Sequence, residues 1–521
     1  MSPAEVAFAP SAIAAIAAQA RSTLSVYRDD AGRLGVASGD APAGAGLTRV
    51  ALLPPLYPEW LGSRAFCEQQ RTRYAYIAGA MANGIASTAL VKAMAHGGCL
   101  GFFGAAGLSL GRIETALDEL QRELDPAGLP WGSNLIHNPA EPAHEEAVAD
   151  LYLRRGVRCI EASAYLRLTP ALIRYACSGL RQLPDGRIER PNRVIAKVSR
   201  AEVARQFLSP PSAAMLDKLQ ARGLLSAEEV ALAQQLPLTE DLTAEADSGG
   251  HTDNRPLSAL IPEMATLRSQ IARERRYPVP IRIGAAGGLG TPAAVAAAFA
   301  LGADYVQTGS VNQGCVEAGI CAEARQMLAE VDMADVTMAP AADMFEMGVD
   351  VQVLKRGSLF APRARRLYEL YRSYPALEAI PAEEREKVEN SILRASFEAA
   401  WASTRAFWQQ RDPAQVARAE RDAKHRMALV FRSYLGLASR WAIDGLSERR
   451  ADYQIWCGPA MGAFNTWVKG SFLQDPAQRS AIQVARNLLE GATVVTRAQQ
   501  LRSMGVPVGE DAFDFRPRPL A

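Results

Sequence analysis

The sequence predicts an α/β protein whose main body is a closed (β/α)8 TIM barrel, and three observations predict it. Short apolar strands alternate with helical patterns eight times between Tyr76 and Ser310. The eight units fill roughly 250 residues, the usual size of such a barrel. The strands are apolar throughout, as expected where a parallel sheet is covered on both faces. An open doubly wound sheet shares the alternation but not the count of eight.

The 521 residues exceed one ordinary core, so two or three domains are expected. Residues 1–60 read as a small N-terminal subdomain. Its opening segment has a short apolar run but carries Glu5 and lacks a basic leader, which predicts a surface helix, not a signal peptide. Residues 22–38, STLSVYRDDAGRLGVAS, alternate around Asp29-Asp30-Ala31-Gly32 and predict a β-hairpin. LLPPLYPEWLG is a Pro-rich connector.

Residues 61–354 hold the barrel, with strands YIAGAM, LGFFGA, GSNLIH, CIEAS, VIAKVS, LTAEA, IRIGAAG and YVQTGS in order. One unit is swollen. Between VIAKVS and LTAEA lies the segment 201–241, with a Pro210-Pro211 break and a Ser226/Glu229 capping box. Placed after the C-terminal end of a strand, it predicts a helical lid over the barrel mouth. Residues 355–521 lose the strand pattern and read as a helical C-terminal domain, with Pro381 and acidic residues marking one helix start. Within it, YQIWCGPAMGAFNTWVKGSF has too many small residues for a helix surface. It is either a loop shaping the barrel mouth or a plain interdomain contact.

Composition narrows the function. Hydrophobic residues make up 49% and charged residues 22%, as in globular enzymes. The 57 basic and 56 acidic residues leave a net charge of +1, which gives no reason to expect nucleic acid or an anionic membrane as partner. The seven cysteines are scattered with no C-x-x-C pair, so neither a metal site nor a disulfide framework is expected. No apolar run approaches the roughly 18 residues of a membrane span. A cytoplasmic enzyme fits best.

The chemistry should sit at the strand C-terminal ends. Ala286-Gly287-Gly288 follows the seventh strand, and Gln307-Thr308-Gly309-Ser310 ends the eighth. In a barrel these loops are neighbours, and this pair commonly binds phosphate. Backbone N–H groups of Gly287, Gly288, Gly309 and Ser310 can converge on one phosphate. Strand one ends in Gly79-Ala80-Met81, small residues against which a flat redox cofactor can lie. Strand three offers Asn134, strand five Lys197, and strand six the turn Ser248-Gly249-Gly250-His251. A lysine beside a flavin ring would tune its electronics. His251 is either a structural tether or an acid–base group. His137 is a further candidate for the pocket. His96 reads as a helix cap, His144 and His425 as surface residues, and Cys315 as a small buried residue.

These residues carry a resemblance. GAMANGIASTALVKAMAHGGCLGFFGAAGLS, SGGHTDNRP and GAAGGLGTPAAVAAAFALGADYVQTGS resemble the FMN-dependent nitronate monooxygenase and enoyl reductase superfamily. LYPEWLGSRAFCEQQ, EASAYLRLTPALIRYACSGL, MADVTMAPAADMFEMGVDVQVLKRGSLF and YQIWCGPAMGAFN extend it over nearly the whole chain. They are similar to the PfaD-type trans-acting enoyl reductases of polyunsaturated fatty acid synthases and trans-acyltransferase polyketide synthases. The resemblance implies that NADPH reduces FMN and that the flavin reduces an enoyl thioester on an acyl carrier protein. It places the flavin contacts on Asn134, Lys197 and the two phosphate loops, and the family's Gly-Gly-His on Gly249, Gly250 and His251. Ser310 stands where the wider superfamily often has Thr, which keeps a hydroxyl. A nitronate oxidase with His251 as base is the alternative enzyme, and a flavin-free scaffold the non-enzymatic one. The oligomeric state is left open, with a homodimer as one option.

Overall fold

The protein is described by a computed structural model covering residues 5–520 other than 41, 43 and 140. The predicted hairpin forms from β1 (Leu24–Asp29) and β2 (Leu34–Ser38), antiparallel about the predicted turn. A third strand, β3 (Leu47–Leu53), pairs with the other edge of β1 through an irregularity at Val26/Tyr27. The Pro-rich connector therefore begins later than its composition suggests. The first helix is Pro10–Ala17; residues 1–4 of the predicted segment lie outside the described residues. It is not a plain surface helix. Ile13, Ala14 and Ala17 are buried in a cluster with β1, β2 and the end of the long helix Ala481–Ser503.

The eight predicted strands form the barrel. They begin with β4 (Tyr76–Ala78), β5 (Leu100–Phe103), β6 (Gly132–Ile136) and β7 (Cys159–Ser163). A side hairpin of β8 (Arg181–Gln182) and β9 (Ile188–Glu189) precedes β10 (Arg193–Val198) and β11 (Asp241–Glu245). The short β12 (Gly250–His251) follows outside the barrel. Then β13 (Arg282–Ala286) and β14 (Tyr305–Thr308) complete the ring, β14 pairing in parallel with β4.

The barrel is plugged at its N-terminal end. The helix Arg64–Gln70 stacks Phe66 on Tyr305, ring centroids 4.4 Å apart. Its Gln70 donates to Asp241, which is paired with Arg282 at 2.6 Å, both side chains almost fully buried. A buried ion pair of this kind needs every lone pair met, and here the glutamine meets one. Only the C-terminal mouth is left for a ligand.

The segment 201–241 does fold into helices, Ala201–Phe207, Ala213–Ala221 and Ala227–Ala233, with the Ser226/Glu229 capping box formed. The last two pack on the barrel flank, against the helix Pro170–Cys177 and β8. Arg200 and Val203, at its start, are what this part of the chain contributes to the cavity wall. The mouth is roofed from elsewhere. β12 joins β15 (Val336–Pro340) and β16 (Asp350–Leu354) in a second sheet. That sheet shares a core with the helices Phe360–Ser373 and Ala423–Asp444. Among the described residues, no helix is long and apolar enough to cross a membrane.

Candidate active site

At the mouth lies a cavity of about 1030 Å³, and every residue singled out above as a binding or catalytic candidate lines it. The volume is at the upper end for small-molecule sites, room for a cofactor together with a second ligand.

One end is built by the glycine loops. Gly287 has φ +89° and Gly288 φ +72°, between β13 and the helix Pro292–Ala300, whose N-cap Thr291 accepts from the Ala294 N–H. A Cβ on Gly287 would lie 2.7 Å from the Asp247 carbonyl oxygen, so this residue is pressed against the strand-six turn. A Cβ on Gly288 or Gly309 would meet nothing within 4 Å. Among the described residues, no turn, loop or side-chain acceptor takes the N–H groups of Gly287, Gly288, Gly309 or Ser310. The open cradle and its undirected donors fit a phosphate.

The WCGPAMG stretch packs here, between the two glycine loops and the Gly-Gly-His turn. Ser310 Oγ accepts from the Gly458 N–H at 3.0 Å, which leaves its own O–H to donate. A Cβ on Gly290 would sit 2.1 Å from the Ala460 oxygen, and one on Gly249 2.8 Å from the Cys457 nitrogen. Gln454, Trp456 and Ala460 line the cavity.

The turn that carries His251 is held as a strand. Gly250 (φ +82°) and His251 pair with Gln352 and Val351 of β16. The Gln352 side chain donates to Asp247 Oδ1 and to the Ser248 carbonyl, both at 2.8 Å. His251 Nε2 lies 3.2 Å from Asp343 Oδ1, with the imidazole 31% exposed. Burial alone would pull its pKa down; the Asp343 carboxylate outweighs this and raises it above 6.5. Asp343, in the loop between β15 and β16, carries no signal in the sequence and was not anticipated.

The floor is a charged network. Lys197 Nζ sits 2.9 Å from Glu245 and 3.7 Å from Glu161. Burial disfavours its charge, but the two carboxylates prevail and hold it protonated. Glu161 Oε2 accepts from the Gln307 amide at 2.8 Å and from the Ala80 N–H at 3.2 Å. Its Oε1 accepts from Ser163 Oγ at 3.1 Å. Asn134 Oδ1 accepts from the Ala106 N–H, and its Nδ2 donates to Ser163. The two glutamates were missed because CIEAS and LTAEA read only as apolar strands.

The remaining histidines divide. His137 lines the cavity, stacked on Tyr165 with centroids 5.2 Å apart, and burial lowers its pKa so that it stays neutral. His144 is half-buried in the same wall, not on the surface. His425 is also not a surface residue: it is 2% exposed, with its ring nitrogens on Glu346 and Gln415. Both errors have one source. A charged helical pattern says nothing of a second helix packed upon it. His96 ends the helix Thr88–His96, and Cys315 is buried with its thiol pKa pushed up, as expected of a packing residue.

The nitronate monooxygenase family model matches residues 66–364, more than half of the chain. The chain belongs to the nitronate monooxygenase family. A second model, the inserted helical domain of [acyl-carrier-protein] S-malonyltransferase, matches residues 374–453, part of the roof. Among solved structures, the enoyl reductase domain of MlnA from the macrolactin biosynthesis cluster of Bacillus amyloliquefaciens is 37% identical. The match covers 85% of this chain and 99% of that one, with a TM-score of 0.81. A polyunsaturated fatty acid synthase polypeptide of Thraustochytrium sp. is 43% identical over 88% of this chain and 31% of its own length. The polyketide biosynthesis protein PksE of Bacillus subtilis is 42% identical over 87% of this chain and 58% of its own. This member of the nitronate monooxygenase family is thus of the PfaD type, as the sequence motifs indicated. It spans less than two thirds of these curated relatives.

Proposed function

We propose that the chain is an FMN-dependent enoyl reductase. It takes reducing equivalents from NADPH and reduces the α,β-double bond of an enoyl thioester carried on an acyl carrier protein. The observation that carries this reading is the convergence, in one cavity, of an open glycine cradle, a partly buried lysine on the floor and a histidine–aspartate pair. The relatives in fatty acid and polyketide assembly, and the enoyl reductase domain of MlnA, support the substrate class.

The roles follow from position. The amides of Gly287, Gly288, Gly309 and Ser310 would hold the FMN phosphate, and Ala80, Met81, Asn134, Ser248 and Gly249 would border the ring. Lys197 favours negative charge at the floor, and Gln307 is fixed beside it. The chemistry that bound FMN supplies is hydride transfer to the β-carbon of the enoyl thioester. His251 holds a proton that Asp343 keeps in place, and delivers it to the α-carbon. Phe407, Leu437 and Met347, exposed at the mouth, give an acyl chain an apolar path.

The test uses the two half-reactions. Purified protein should release FMN on denaturation, and NADPH should bleach its visible absorption. His251→Ala should leave both unchanged, while transfer to a crotonyl thioester falls by roughly 10²–10⁴. A colourless protein sinks the flavin reading. Oxygen uptake with an alkyl nitronate, without enoyl reduction, supports a nitronate oxidase instead.

A further inference from the structure

Glu161 is the one carboxylate of the cavity floor with no exposure to solvent, and the proposed reaction leaves it without a role. Its two oxygens meet four donors: the Ala80 N–H, the Gln307 amide, the Ser163 hydroxyl and, at 3.7 Å, the Lys197 ammonium. These groups come from the ends of β4, β14, β7 and β10. One buried side chain thus ties four strands together directly under the cavity. Three of the four are N–H donors that cannot accept, and the Ser163 hydroxyl, which already accepts from Asn134 Nδ2, has its own proton to give, so the site favours the carboxylate form. Burial pushes the other way and, although Lys197 opposes it, raises the carboxyl pKa above its ordinary value. The lysine in turn shares its charge with Glu245 at 2.9 Å.

We propose that Glu161 is a positioning residue for the redox step: it fixes Lys197, Gln307 and the Ala80 amide as one unit, and its charge sets how much positive potential Lys197 presents to the cofactor. This rests on the flavin reading above. A negative charge beside a reducible ring opposes the arrival of electrons, and the low dielectric of a buried network strengthens that opposition. Removing it frees the lysine to favour the reduced form.

The experiment is the midpoint potential of the flavin-loaded protein at saturating FMN, in wild type and in Glu161→Gln. The amide keeps the shape and removes the charge. The expected result is a shift toward easier reduction, at least tenfold in the two-electron equilibrium, or about 30 mV. Glu161→Asp, which withdraws the same charge by one methylene, should move it the same way by less. A structural role alone would lower the melting temperature and leave the potential where it was. An unmoved potential in folded, flavin-loaded Glu161→Gln overturns the proposal, and so does failure of both variants to fold. A wild-type protein that binds no flavin fails the underlying reading instead, and is recognised before any variant is made.

Discussion

At the scale of single residues, His251 is defined by its partner. An exposed histidine titrates near 6.5, and burial beside a cavity would lower that value. Asp343 at 3.2 Å reverses the balance and raises it. The sign follows from linkage. The pair adds stability that is fully present below the unfolded pKa and is lost as the pH rises through the higher folded value. If the imidazolium is the proton donor, transfer to the enoyl thioester should fall along the same limb, above pH 6.5. Asp343→Asn removes the opposition to burial, so the limb should move to lower pH. Stopped-flow rates of the second half-reaction between pH 5.5 and 9, in both proteins, check this. An identical profile in Asp343→Asn would assign the limb to another group.

At the scale of elements, the barrel strands and the loops they aim were legible because they are local. Eight apolar runs separated by helical patterns announce the sheet, and Gly-Gly after a strand announces a tight turn. The structure adds which glycine faces outward. Gly288, at φ +72° with open space where a Cβ would be, is the position from which a side chain would enter the cradle. Gly288→Asp should therefore abolish FMN retention. That variant also strains the backbone, since few residues tolerate positive φ. Gly288→Asn has nearly the same shape and meets that strain to a similar degree, since Asn and Asp are alike among non-glycine residues at positive φ, so the pair isolates the charge. The expectation is weakened binding in Asn and none in Asp, read by equilibrium dialysis against FMN. Equal loss in both would make strain, not repulsion, the cause.

What the sequence does not display is pairing at a distance. Glu161 opposes Asn134 on one side, and the neighbouring Ala162 opposes Ala196 on the other. Lys197, the next residue along β10, then reaches it. No spacing within CIEAS or VIAKVS carries that register. The roof was misplaced for a related reason. The segment 201–241 has the right position in the chain for a lid, but its apolar faces match the barrel flank.

At the scale of the whole molecule, the cavity is a joint between the barrel and the helical module matched by the malonyltransferase insert. One tether across that joint is bidentate. Arg411, at the end of the helix Phe397–Arg411, donates from Nε to Glu141 Oε1 at 2.6 Å and from Nη2 to Oε2 at 3.1 Å. Glu141 belongs to the loop after β6. Burial would raise its pKa, but Arg411 more than compensates and lowers it. The tether's contribution is thus present above the ordinary carboxylate range and is lost as the pH falls through the lower folded value. Arg411→Ala leaves the partly buried Glu141 with the Asn138 amide alone as a side-chain donor, a loss on the order of 1–3 kcal/mol. Trp408 also holds this helix, packed with Val416, Ala419 and Leu429, so the roof should loosen without unfolding. Hydrogen exchange should quicken in residues 397–411 and 141–148 at neutral pH and leave β10, β11 and β13 as protected as before. The same segments of the wild-type protein should exchange faster at a pH below the ordinary carboxylate range, after correction for the intrinsic rate. Faster exchange throughout the barrel would mean that the tether supports the whole fold. No change anywhere would mean that the Trp408 cluster alone carries the roof.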